Sequence, residues 1–292
     1  CMYELIQAGE RTWYFEAPTK VGAYVEPDGS VILIDSGNDK DAGRRILKQI
    51  TEQGWSLRTI LNTHSNADHI GANAFLQQRT GCKIYAYGVE AAFTQYPLLE
   101  PAFLYGGFAP KALRNKLLLA QPSQVVQMEG NLPSGFELLP LPGHYFDMVG
   151  LRTPDDVLFL ADALFNETIL NKYHVSFLYD VKMQLQTLEM LKTVQAALFI
   201  PSHAQATKDI LPLIDCNKAK ILEFAALLVK LAKFRQTEAE LLKAVFEHYE
   251  LKMDFNQHVL IGSTLRSYLS YLVDEGALRA EFEQNMLWYI AL

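Results

Sequence analysis

At 292 residues the chain exceeds what one typical hydrophobic core accommodates, so it reads as one large domain or one domain plus a small appendage. Half of its residues are hydrophobic and a fifth are charged, an ordinary globular balance, and no apolar run approaches the about 20 residues that cross a bilayer. A formal net charge of −7 argues against a polyanion as the main partner, though not against a phosphate ester held by metal ions. No secretory signal opens the chain, so a reducing cytoplasm is the expected compartment, with Cys82 and Cys216 as free or buried thiols. Cys1 before Met2 reads as a leftover of expression and is set aside.

Residues 3–35 read as β-strands. Trp13–Phe15, Ala23–Val25 and Val31–Ile34 are β-rich runs, broken by Pro18, by Pro27 and by the hairpin signal Asp28-Gly29. The last run ends in Asp35, an acid costly to bury unless it receives hydrogen bonds. It is either a turn residue or a support for a nearby metal loop. Residues 39–53 carry helical spacing (Ala42, Ile46, Leu47, Ile50), and the strand Thr59–Asn62 follows. In such a strand–helix–strand unit the functional loops gather at the C-terminal ends of the strands. There stands Thr63-His64-Ser65-Asn66-Ala67-Asp68-His69-Ile70-Gly71, with three metal-binding side chains and an amide within six residues. The structural alternative is Asp68 as a helix cap beside surface histidines.

Ala72–Thr80 fits a helix stopped by Gly81, and Lys83–Ala86 fits the next strand. Residues 90–120 are apolar, rich in Tyr and Phe, and interrupted by Pro97, Pro101, Gly106-Gly107 and Pro110. They read either as a helical excursion packed on its own domain or as a mobile lid or homodimer contact. Short strands resume from Val125 to Leu141, and Pro142-Gly143 then sets His144 on a tight loop. The apolar run from Val157 ends in Asp162, and the run from Ala197 ends in His203. Four of the seven histidines thus fall at strand-end loops beside Asp68 and Asp162, a recurrence that packing does not explain.

The motif T-H-x-H-x-D-H-x-G, followed by a lone His, an Asp after an apolar strand and a last His, resembles the signature of the metallo-β-lactamase-fold hydrolases. The chain matches it at Thr63, His64, Asp68, His69, Gly71, His144, Asp162 and His203, and Asp35 matches that family's early strand-end Asp, a support for the metal loops. Over roughly residues 3–210 the resemblance implies an α/β fold, a four-layer αββα sandwich with a metal centre at one sheet edge. It implies a first metal on His64 and His144, a second on Asp68, His69 and His203, and Asp162 bridging them. The expected ions are one or two divalent metals, zinc with iron or manganese as alternatives. At Asn66 the chain departs from the pattern, which has a second His there. An amide oxygen is a weaker donor to zinc than imidazole, so the first site is expected to hold its ion less firmly, or to take a harder one.

The resemblance further implies hydrolysis of a small ester, thioester, lactone or phosphodiester by a metal-bound hydroxide, with Asp68 or Asp162 orienting it. No G-x-S-x-G elbow and no P-loop offers a competing chemistry. Substrate contacts are expected from Tyr145 and from the segment 166–179, with Asn166, Lys172, Tyr173 and His174 as candidates. Alternatives within the fold are a persulfide dioxygenase or a redox di-iron protein, the latter normally carrying Glu where Asn66 stands. A regulator with a degenerate site is the alternative outside enzymology.

Beyond a catalytic unit at 1–216, strand signals cease. Ile221, Leu222, Ala225, Leu228 and Leu231 follow a helical period, Thr237-Glu238-Ala239-Glu240 looks like a capped helix start, and Thr264–Val273 is a further amphipathic segment. Leu278–Glu283 and Met286–Ile290 read as a two-stranded wing with Gln284-Asn285 at its tip. Residues 217–292 therefore resemble a winged helix. Residues 237–292 hold four Lys and Arg against nine Asp and Glu, which argues against DNA and for a packing or dimerisation role.

Overall fold

A computed structural model describes residues 2–292; Cys1 lies outside the described residues. Strands β1 (Glu4–Gln7), β2 (Thr12–Glu16), β3 (Val21–Val25) and β4 (Ser30–Ile34) form an antiparallel meander. Helix α1 (Lys40–Glu52), capped by the Asp39 side chain, crosses over to β5 (Ser56–Leu61), parallel to β4. The short helix α2 (Ala67–Ile70) and α3 (Asn73–Thr80) lead to β6 (Lys83–Ala86); α4 (Val89–Gln95) and α5 (Leu99–Tyr105) precede β7 (Val126–Gln127), and the seven strands form one sheet in chain order. A second sheet, in the order β11-β10-β9-β8, contains β8 (Glu137–Pro140), β9 (Val149–Arg152), β10 (Val157–Phe165) and β11 (Leu198–His203). Helices α6 (Glu167–Tyr173) and α7 (Val181–Leu191) connect β10 to the parallel β11. Helices α8 (Leu211–Leu231), α9 (Glu238–His248) and α10 (Phe255–Asp274) and the hairpin of β12 (Leu278–Glu283) and β13 (Met286–Ala291) complete the chain.

The two faces of each central strand explain the layering. Ile32 and Ile34 of β4 meet Val149, Leu151 and Phe159 of the second sheet, and this apolar seam holds the sheets face to face. The alternate residues Val31 and Leu33 turn to Ile46 and Ile50 of α1 and Leu76 of α3. On the far side, Leu158 and Leu160 of β10 pack on Leu188 and Leu191 of α7 and Phe224 and Leu228 of α8. Helices outside, sheets inside: this is the four-layer αββα sandwich. Strands buried on both faces read as unbroken apolar runs, as β4 and β10 do.

The C-terminal helices share the third of these cores: Phe246, Leu265, Tyr268, Leu272 and Leu278 join the cluster around α8 and β10. Thr237 caps α9 with Glu240 returning the bond, and Gln284 and Asn285 turn the final hairpin in left-handed backbone. Position 217 falls inside α8. There Asn217 Oδ1 accepts from Phe165 N at 3.1 Å and Asn217 Nδ2 donates to Phe165 O at 2.8 Å, so α8 is tied to the end of β10. Segment 90–120 packs on its own chain, with Leu104, Leu113 and Leu118 against Val259 of α10. Cys82 and Cys216 are free thiols.

Three local features aim the loops. Ala161 has φ +50° and the β10–β11 register shifts on either side of it, a bulge that turns the next side chain, Asp162, to the sheet edge. A Cβ on Gly71 would lie 2.3 Å from the Asn38 carbonyl, so only glycine lets the end of α2 approach that backbone. Glu90, fully buried on α4, accepts from Ser65 N (2.9 Å) and Ser65 Oγ (2.6 Å) on one oxygen and from Asp147 N (2.9 Å) on the other. It thereby straps the loop of His64 to the loop of His144.

Gly71→Ala is expected to lower stability by about 1–3 kcal/mol through overpacking and to displace His69; denaturant unfolding together with metal titration checks both. Burial pushes the Glu90 carboxyl up from 4.5 to about 7, so the folded chain keeps a proton that the unfolded chain has lost. Its contribution is fully present below pH about 4.5 and is lost as pH rises through about 7, a decline of about 3 kcal/mol. Urea midpoints of the metal-free protein from pH 4 to 8 are expected to fall along this curve relative to Glu90→Gln; parallel curves would refute it.

Candidate metal centre

The β5–α2 loop supplies His64, Asp68 and His69, the β8–β9 loop His144, the β10 bulge Asp162, and the end of β11 His203. Their donor atoms converge in two groups that share Asp162. His64, His144 and Asp162 form one, and Asp68, His69, Asp162 and His203 the other, with the atoms of each within 4.8 Å of one another. Asp162 Oδ1 lies 3.1 Å from His69 Nε2, while Oδ2 lies 3.3 Å from His203 Nε2, 3.5 Å from His144 Nε2 and 3.9 Å from His64 Nε2. Asp68 Oδ2 stands 3.4 Å from His203 Nε2 and 3.5 Å from His69 Nε2.

Each imidazole is held from behind. His144 Nδ1 donates to Phe177 O and His203 Nδ1 to Pro18 O, both at 2.9 Å, and His69 Nδ1 donates to Asp35 Oδ2 at 2.8 Å. His64 Nδ1 donates to Thr63 Oγ1 (3.0 Å), whose own proton goes to Asp35 Oδ2 (2.7 Å), and Thr63 N donates to Asp35 Oδ1 (2.8 Å). Carbonyl and carboxylate oxygens only accept, so Nδ1 carries a proton in each ring and Nε2 is the nitrogen turned inward, the one a metal ion would take. Asp35 thus ties Thr63 to His69, in left-handed backbone at φ +64°. Asp68 caps nothing; its Oδ2 takes a 2.7 Å bond from Thr19 Oγ1 and faces the histidines.

The electrostatics divide the two groups. Burial would raise the carboxyls of Asp68 and Asp162, but His69 and His203 outweigh it and hold both well below the usual carboxylate range. Burial likewise opposes the charge on His69 and His203, yet the facing carboxylates Asp162 and Asp68 raise His203 to about 10 and His69 well above its ordinary value. His64 and His144 go the other way: burial lowers both, and the charge on His69 adds to it against the pull of Asp162. Positive charge is thus most favoured between Asp68 and Asp162.

Among the described residues His64 Nε2 is buried with no hydrogen-bond partner, and His69 Nε2 and Asp162 Oδ1 face one another at 3.1 Å without the alignment of a hydrogen bond. Buried polar atoms are normally satisfied, and nitrogen and oxygen atoms gathered in two groups that share Asp162 are what one or two divalent cations would satisfy. The residues fit such an ion.

The remaining expected residues divide. Asn66 joins the first group, its Oδ1 3.1 Å from His144 Nε2 and its Nδ2 donating to Glu100 Oε1 at 2.9 Å. Asn166 borders the site, its Nδ2 donating to His203 O at 3.0 Å while Oδ1 caps α6. Tyr145, expected to touch substrate, is instead fully buried behind His64 among Phe93, Phe103, Phe146 and Phe177, because a ring following His144 on this loop falls into the aromatic core. Lys172 lies over the ring of Tyr173, and His174 stacks on Tyr249 with Lys220 Nζ 3.2 Å from its Nδ1; these contacts lead to the C-terminal helices and not to the metal ligands. Unforeseen from sequence are Thr19, the two buried acids Glu90 and Glu100, and Phe165, whose ring stacks on His203 at 5.4 Å.

The chain has relatives on both counts, sequence and fold. The family model of the Metallo-beta-lactamase superfamily matches residues 22–203. Among curated proteins, a hydroxyacylglutathione hydrolase of Rhodopseudomonas palustris is 34% identical over 122 residues, covering 41% of this chain and 39% of its own length. Hydroxyacylglutathione hydrolase GloC of Haemophilus influenzae is 28% identical over 146 residues, covering 48% of this chain and 64% of its own. The chain thus spans about half the length of such relatives. Among solved structures, a beta-lactamase domain protein from Burkholderia ambifaria superposes with a TM-score of 0.72 at 16% identity, over 100% of this chain and 94% of that one. A metallo-beta-lactamase family protein from Thermus thermophilus gives 0.70 at 18% identity, with 94% of each chain covered. The matched span runs from β3 through His203 and so takes in every ligand described above; the chain belongs to the metallo-beta-lactamase superfamily.

Proposed function

We propose that the chain is a metal-dependent hydrolase of a small thioester or ester, with lactones and phosphodiesters as the neighbouring classes, and that zinc is its ion. The observation that carries this reading is the convergence of His64, His144 and Asp162, and of Asp68, His69, Asp162 and His203, in two donor groups that share Asp162. The names of the curated relatives favour a thioester. A divalent ion in this place supplies a water of lowered pKa and a Lewis acid for the substrate's carbonyl or phosphoryl oxygen. Asp68 is the carboxylate that water and substrate reach, its side chain 34% exposed against 6% for Asp162; it orients the attacking water. Asp162, turned in by the bulge, holds the two groups together. Asp35 keeps His69 and, through Thr63, His64 in the ligating tautomer. The C-terminal helices and hairpin, arranged in the order of a winged helix, brace the second sheet; with nine acids against four bases over 237–292 they do not bind DNA.

Protein supplied with zinc, iron or manganese and then desalted should retain one to two equivalents per chain, the second held more weakly, and should hydrolyse at least one member of a thioester, ester, lactone and phosphodiester panel. No metal uptake, or uptake with no hydrolysis across the panel, rejects the reading. Asp35→Asn keeps the left-handed backbone accessible but presents an amino group to one of three donors. It should weaken metal binding about 10–100-fold with the fold retained, as read by chelator competition and circular dichroism; wild-type affinity would show that imidazole orientation is independent of Asp35.

A further inference from the structure

Asn66 is the one ligand position without an imidazole or carboxylate, and a buried acid stands behind it. Glu100 stands in the first turn of α5, only 6% exposed, and its side chain makes one hydrogen bond among the described residues, accepting from Asn66 Nδ2 at 2.9 Å. An acid buried with so few partners costs stability that an apolar side chain would not, so its contact with the amide is its physical contribution here.

An amide has two ends of opposite character, and rotation about its last bond exchanges them. With the amino end inward, Asn66 would donate to the lone pair of His144 Nε2 and repel a cation. The observed orientation is the reverse: Asn66 Oδ1 points to His144 Nε2 at 3.1 Å, although His144 Nδ1 already donates to Phe177 O. Two lone pairs facing one another are unfavourable unless a cation lies between them. A carboxyl oxygen that can only accept selects this orientation by binding the amino end. Burial pushes the Glu100 carboxyl up, and the selection holds for the carboxylate and for the acid that carries its proton on Oε2, since Oε1 accepts in both.

We propose that Glu100 is a positioning residue of the first metal site: it locks the Asn66 amide with its oxygen inward and so turns a neutral, reversible side chain into a ligand beside His64, His144 and Asp162. This rests on the hydrolase reading above.

Cobalt(II) titration, followed by visible absorption and by chelator competition, tests it. In Glu100→Leu the weaker of two binding steps should lose at least tenfold in affinity, with the stronger step, on Asp68, His69 and His203, moving less than twofold. Glu100→Gln, whose Oε1 can accept the same bond, should restore the weaker step and its absorption. In an Asn66→Ala background, Glu100→Leu should change nothing further. Glu100→Met serves should the Leu variant not fold. Wild-type protein that takes up no cobalt overturns the hydrolase reading and this inference with it. Two-step uptake that Glu100→Leu leaves unchanged or weakens equally at both steps, failure of Gln to rescue, or a full effect without the amide overturns this inference alone.

Discussion

Everything at the sheet edge depends on the cost of taking two carboxylates and four imidazoles out of water. Asp162 and the four histidines are buried or nearly so, and their mutual contacts satisfy only part of what hydration supplied. The chain meets the deficit from outside inward. Asp35, Thr63 and the carbonyls of Pro18 and Phe177 fix the four rings by Nδ1, Thr19 holds Asp68 through Oδ2, and the Nε2 atoms face inward in two groups that share Asp162. The sandwich makes this possible because both sheets bring strand ends to one edge. Loops between β2 and β3, after β5, after β8 and after β11 can then meet.

The unequal charge of the two groups follows from the same arrangement. Asp68 and Asp162 face His69 and His203, while His64 and His144 share only Asp162 with them and are joined by a neutral amide. The group richer in carboxylate draws positive charge more strongly, and the other relies on geometry. Segment 90–120 is where that geometry is kept. Glu90 straps two metal loops and Glu100 meets Asn66, so an excursion that looked like a lid or a packing element is the rear wall of the site.

The converging histidines and aspartates were legible because imidazoles and carboxylates after apolar strands are rare enough to recur only for a reason. The hairpin at Gln284-Asn285 and the cap at Thr237 were legible because turn and cap chemistry is local. What escaped was what has no local mark. Pro18 and Phe177 act through backbone carbonyls, which no side chain announces. Glu90 and Glu100 are single acids in an apolar stretch, and their partners lie 25 and 34 residues away. Helix α2 has four residues and β7 two, too few for a period to show. Tyr145 misled because proximity to His144 in sequence says nothing about which side of a loop a ring takes; it went to the core.

The pair of hydrogen bonds between the Asn217 amide and the backbone of Phe165 gives the C-terminal helices a mechanical reach beyond their own packing. Phe165 is three residues from the bridging aspartate and lies flat on His203, so the first turns of α8 work as a tie-rod on the strand that carries the bridge. A chain cut where the familiar fold ends would lose part of that rod.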